Sequence, residues 1–262
     1  MTNIHPTAII HSSAEIGSNV SIGPFSFIDE QVRINDNTVI GPHVVVYRYT
    51  SIGQESSIHA HAVLGDLPQD TSFQNVKSYV RIGSNCIIRE GVTIHRGTKP
   101  ETTTEVGTNC FLMVNSHLAH NVKLGNHVTI ANGTLLAGYA NVGDKTFISG
   151  NCVIHQFVRI GRLAMLGGGC GIGKDVPPFC TTKHYDVNIV VGLNVIGMRR
   201  AGISPKERQI IKEVFHILYK SGLNVTQAIT RIRQEYTSDF ALEICSFIEG
   251  SQRGICKFKK EK

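Results

Sequence analysis

The chain has 262 residues, 26 Lys+Arg against 20 Asp+Glu, and seven cysteines. That length buries a full core and fits one elongated domain plus a smaller one, while the mild basic excess suits an acidic partner or ligand rather than nucleic acid. The opening MTNIHPTAIIHSSAEIG is not a signal peptide, and the longest apolar stretch, near VNIVVGLNVIGM, is too short and too polar to span a bilayer.

Aliphatic residues open six-residue blocks at Ile4, Ile10, Ile16 and onward to Leu64 without a slip, with a small or β-branched residue at each fifth place. The beat breaks over 66–78, resumes at Ile82, Ile88 and Ile94, breaks again near 99–105, and runs unbroken from Val106 to Ile172. A period of six is neither a helix nor an alternating strand. It is the hexapeptide repeat of a parallel β-helix, three blocks to a triangular coil, with Gly or Asn expected at the tight turns. Such a solenoid has open ends and needs caps or partners. Cys86, Cys110, Cys152 and Cys170 fall in apolar repeat positions with no C-x-x-C spacing. They read as buried free thiols in a reducing compartment, so a soluble cytoplasmic protein without stable membrane insertion is expected.

Past Pro177 and Pro178 the beat dissolves. Ser204-Pro205-Lys206-Glu207 is cap serine, first-turn proline and capping-box glutamate. A helix to about Lys220 is predicted, stopped by Gly222, with further helical patterns over about 226–236 and 238–249. The expected architecture is mainly β: a β-helix over 1–190 and a C-terminal α-helical domain over 191–262.

Residues 18 apart stack in successive coils, about 4.8 Å apart. Leu118, Leu136 and Ile154 then share a face, joined by Ile94 if 99–105 is an inserted loop. His95, His117, His120 and His155 therefore line one edge. A lone histidine there is most simply a solvated surface residue; four in register beside two loops point to a site. Imidazoles titrating near neutrality serve as a general base for acyl transfer, beside backbone N–H groups at the Ala137–Gly138 turn, as a zinc site, or as a scaffold without chemistry. The close pair is spaced H-x-x-H, which argues against the wider pair of the zinc-dependent carbonic anhydrases with this repeat, and no metal is expected.

TIHRGT (93–98), NSHLAHN (115–121), LLAG (135–138), VIHQF (153–157), GKDVPPF (173–179) and GLNVIGMRRAGIS (192–204) together resemble the UDP-N-acetylglucosamine O-acyltransferases of lipid A biosynthesis over nearly the whole chain. The N-acyltransferase later in that pathway shares the AHN histidine but lacks the HRGT and HQF phrases. The resemblance implies a homotrimeric left-handed β-helix, an acyl carrier protein thioester as acyl donor with no cofactor, and a UDP-amino sugar as acceptor. It makes His120 the general base and Gly138 the oxyanion N–H. Asp70, with Gln69 beside it, resembles the sugar-contacting acid. His95, His117, His155 and Gln156 would line the sugar site and acyl channel, and Asn194 and Arg200 the uridine and phosphate region. Arg199, Arg200, Lys206 and Arg208 suit an acidic carrier protein.

Departures from the family pattern are Ser72, Asn121, Tyr139, Ile196 and Ala201, and they leave a 3-amino analogue of the sugar open as acceptor. Asn121 stands where an acidic residue is usual, which leaves His120 without a carboxylate partner. Gly168, taken as lying three coils or roughly 14 Å below His120 on the same edge, leaves room for about 11 carbons at roughly 1.25 Å per carbon, and the resemblance, in which a glycine there goes with long chains, implies an acyl chain of about 12–14 carbons.

Overall fold

In this computed structural model, which describes residues 1–259, each hexad is a short strand followed by a corner turn. Three hexads complete a coil and successive coils stack in parallel register, Asn3 on Ser21, Ser21 on Val39 and Val39 on Ser57. The result is a left-handed β-helix with three flat faces of twelve, nine and eight strands, here called the first, second and third faces. The aliphatic residue of every hexad points inward, and ladders such as Ile28, Val46, Leu64, Ile94, Leu118, Leu136 and Ile154 are fully buried. Burial of that apolar surface is the main stabilising term.

The fifth position is where the small residues belong. Buried hydroxyls there donate to a carbonyl of the next coil, as Ser26 does to Gly41 at 2.7 Å and Thr134 to Ser149 at 2.7 Å. Cys86, Cys110, Cys152 and Cys170 occupy the same slot, Cys86 donating to the Gly107 carbonyl and Cys152 to the Gly167 carbonyl, both at 3.1 Å. All seven thiols are buried and free, as their positions suggest.

Corner chemistry departs from expectation. Left-handed turns were assigned to Gly or Asn, yet Phe25, Gln31, His43, Tyr49, Glu55, Lys145 and Leu163 also adopt positive φ. Each such residue costs about 1–2 kcal/mol. The repeat holds it there because the turn N–H donates to the preceding coil, His43 to the Pro24 carbonyl and Phe157 to the Gly138 carbonyl.

The C-terminal part is four helices: α1 (Val195–Arg200), α2 (Pro205–Lys220), α3 (Val225–Glu235) and α4 (Asp239–Glu249). Ser204 and Glu207 form the complete capping box of α2. The six-residue α1 was not anticipated, nor was the return of the chain to the sheet. The strand Ile189–Leu193 runs antiparallel to Cys180–Thr182, and Lys257–Phe258 pairs with it in turn. A boundary at 190/191 therefore falls inside a strand, and the last segment caps the first face.

Candidate active site

Both interruptions of the repeat open at the same place. Residues 67–78 and 96–102 each connect a second-face strand to a third-face strand. His120 and Asn121, Gly138 and Tyr139, and Gln156 and Phe157 form the turns of that same corner in three successive coils. Insertions cluster there because a corner is the one point where the chain can leave the coil without losing a ladder hydrogen bond.

His120 is pinned on three sides. Its ring meets Tyr139 edge-on at 5.3 Å between centroids, and Tyr139 stacks on Phe157 at 5.0 Å. A Cβ on Gly138 would sit 2.3 Å from His120 Cε1, so only glycine lets the imidazole lie on that backbone. The third contact is Asn121 Oδ1, 3.1 Å from His120 Nδ1. Asn121 is buried, and its Oδ1 also receives the Thr98 N–H at 3.1 Å and the Thr98 hydroxyl at 3.0 Å. A backbone N–H can only donate, so the atom facing His120 is the amide oxygen, and His120 Nδ1 must carry the proton. Nε2 is thereby left with a lone pair. Where a carboxylate was expected, a neutral acceptor fixes the tautomer.

His95 and His117 stand beside it, rings 4.9 Å apart and nearly perpendicular. His117 Nδ1 lies 2.7 Å from the Thr93 hydroxyl. Burial, reinforced by His95, lowers the His117 pKa to about 4, and burial lowers that of His95. Both are neutral at pH 7. Across the cleft, Asp70 Oδ1 accepts the Ser72 hydroxyl at 2.7 Å and its N–H at 2.9 Å, which with His120 nearby lowers the carboxyl pKa. Asp70 thus also holds a turn of the loop, and Asp70, Thr98, Lys99 and Tyr139 line a cavity of about 350 Å3. Gln69 is exposed on the same loop.

Other expected site residues lie elsewhere. His155 and Gln156 are exposed on the His120 corner but two coils further on, His155 Nδ1 facing the Gln156 carbonyl oxygen at 3.2 Å. Gly168 is not on that corner. It follows His120 by 48 residues, two coils plus two hexads, and so turns the corner between the first and second faces. The straight run of three coils along a single edge is therefore incorrect. Asn194 and Arg200 line a cavity of about 830 Å3 on the first face with His127, Lys145, Phe147 and Met165. Asn194 caps α1 by accepting the Gly197 N–H and donates to the Leu163 carbonyl, both at 2.9 Å. One chain thus holds two candidate half-sites on different parts of its prism.

Sequence reasoning missed the parts played by Thr93, Thr98 and Thr104, the last accepting the Asn121 N–H at 2.7 Å. Their signal was available only as proximity of TIHRGT and the second loop to the AHN turn. Among the described residues no three His, Cys, Asp or Glu side chains are placed to hold a metal.

The prism is that of a hexapeptide-repeat protein, and the model described as bacterial transferase hexapeptide matches residues 103–138. A second model, UDP N-acetylglucosamine O-acyltransferase domain 2, matches residues 175–256. The acyl-(acyl-carrier-protein)–UDP-N-acetylglucosamine O-acyltransferase of Halorhodospira halophila is 39% identical over 98% of this chain and 100% of its own length. That of Campylobacter concisus is 33% identical over 97% of both. A solved UDP-N-acetylglucosamine acyltransferase from Bacteroides fragilis superposes with a TM-score of 0.92 at 39% identity, covering 96% of this chain and 98% of that one. The chain belongs to the family of UDP-N-acetylglucosamine O-acyltransferases.

Proposed function

We propose that this enzyme transfers a 3-hydroxyacyl chain from acyl carrier protein to the 3-hydroxyl of UDP-N-acetylglucosamine, the first step of lipid A biosynthesis, with His120 as general base. The observation that carries the base role is the enforced tautomer: with Nδ1–H committed to Asn121, Nε2 can accept the sugar proton. As the sugar oxygen attacks the thioester carbonyl, the Gly138 N–H, which has no hydrogen-bond partner among the described residues, receives the oxyanion. Collapse expels the carrier thiolate, which takes the proton back from the imidazolium. No cofactor enters this scheme, and buried free thiols suit a reducing cytoplasm.

The two half-sites are joined by a homotrimer. Outward positions on the third face are Glu15, Arg33, Arg81, Glu105 and Lys123, whereas the other two faces show Val39, Ile87, Phe111 and Phe147, or Phe27, Val45, Leu135 and Val153. Charged ladders face water and apolar ones pack. Closing a ring with the first face of one copy on the second face of the next brings the Asn194–Arg200 cavity to the His120 edge of its neighbour. Gln69, Asp70, His95 and His117 then meet the sugar, Asn194 and Arg200 the uridine diphosphate, and His155, Gln156 and Gly168 the acyl chain. Arg199, Lys206 and Arg208 face the acidic carrier. Because Gly168 sits at another corner, its effect on chain length rests on the chain crossing into the contact between copies.

Asn121 favours a second reading, in which the acceptor is the 3-amino analogue, since an amine attacks with less help from a base than a hydroxyl does. Steady-state assay of the purified enzyme with both nucleotide sugars decides: a higher kcat/KM for UDP-N-acetylglucosamine supports the first reading, and turnover with neither rejects both.

A further inference from the structure

The 67–78 segment leaves the prism for twelve residues and carries Asp70, which lines the cavity beside Tyr139. Arg96, in the TIHRGT phrase, lies beneath it and is 2% exposed. Its Nη2 donates to Asn75 Oδ1 at 3.0 Å, its guanidinium lies 5.6 Å from the Phe73 ring centroid, and 5.6 Å on from the Tyr49 ring in the prism wall. One flat cation thus spans scaffold and loop, which a lysine cannot do because it lacks the rigid fork. A buried guanidinium is costly. Burial, with Arg48 close by, disfavours its charge, and its Nε has no partner. A cation buried at that cost and fastening a loop that leaves the prism points to a role in placing what the loop carries. The other end of the loop is secured independently, by the Ser78 hydroxyl on the Gly97 carbonyl and by the Glu101 N–H on the Lys77 carbonyl. Arg96 therefore governs the portion around Phe73 and Asn75, three to five residues from Asp70.

We propose that Arg96 is a positioning residue for the acceptor sugar: by clamping Phe73 and Asn75 it holds Asp70 over the His120 edge. This rests on Asp70 meeting the sugar, as the proposed function has it.

Three proteins test it: Arg96→Lys, the loop-side double variant Phe73→Leu/Asn75→Gly, which leaves the prism untouched and suits the positive φ at Asn75, and Asp70→Asn. Each is compared with the parent for nucleotide-sugar KM, kcat, melting temperature and amide hydrogen exchange in 67–78. The first two are expected to exchange faster in the loop and to raise KM about three- to tenfold, the loss of one or two hydrogen-bond-sized contacts, with kcat within about threefold. A lower melting temperature with unchanged KM would mean that the clamp is only structural and overturns the proposal. Unchanged KM in the double variant alongside a raised KM in Asp70→Asn removes Arg96 and leaves the sugar role of Asp70 standing. Unchanged KM in Asp70→Asn removes both.

Discussion

At the level of single residues, the proposed mechanism hangs on one imidazole and the amide beside it. His120→Ala removes the base and is expected to lower kcat by about 10²–10⁴-fold while leaving the assembly and its melting temperature nearly unchanged, since the ring lies on the surface of Gly138 rather than in the prism core. Activity within threefold of the parent removes His120 from the mechanism. Asn121→Asp keeps the acceptor and adds a charge, which favours the protonated imidazole. The acidic limb of the pH–rate profile should move to higher pH by about one unit, and an unmoved limb would show that Asn121 does not govern the base. His95 and His117 give a separate signal. Their folded pKa values are lowered, with His117 at about 4, so the unfolded chain binds more protons between that value and the ordinary 6.5. Stability falls as pH drops through this window, and His117→Gln should flatten the dependence of melting temperature on pH from about 6.5 to about 4.

Among the elements, legibility tracked periodicity. Every hexad was readable because an inward aliphatic is required at each sixth residue, and α2 because Ser204, Pro205 and Glu207 write its start into adjacent positions. What periodicity does not encode was lost: α1 is too short to show a face, and the strands Ile189–Leu193 and Lys257–Phe258 are defined by partners far along the chain. The corner cluster was legible as far as stacking by 18 reaches, which placed His95, His117 and His120 together. It does not reach Gly168, which lies two coils plus two hexads on and so at another corner, nor Thr98, whose contact with Asn121 crosses a loop. Capping offers a check on the legible part. Ser204→Ala deletes the acceptor for the Glu207 N–H and should cost about 1 kcal/mol, read as a fall of a few degrees in melting temperature, with acyl transfer retained.

For the whole molecule, the decisive proposal is that a complete site draws one half-site from each of two chains. His120 lies between the second and third faces, and the Asn194–Arg200 cavity on the first. In the proposed ring a substrate held by both bridges two copies, each site taking its proposed base from one chain and its proposed phosphate-binding cation from the next. Two crippled proteins can then rescue each other. His120→Ala and Arg200→Ala are each expected to be strongly impaired as uniform assemblies. When co-expressed in equal amounts and mixed at random, about one site in four combines an intact His120 with an intact Arg200 from the neighbour, so the mixture should recover about a quarter of the parental activity. If both residues served the same chain's site, every site in the mixture would still carry a lesion, and no activity beyond that of the separate variants would return.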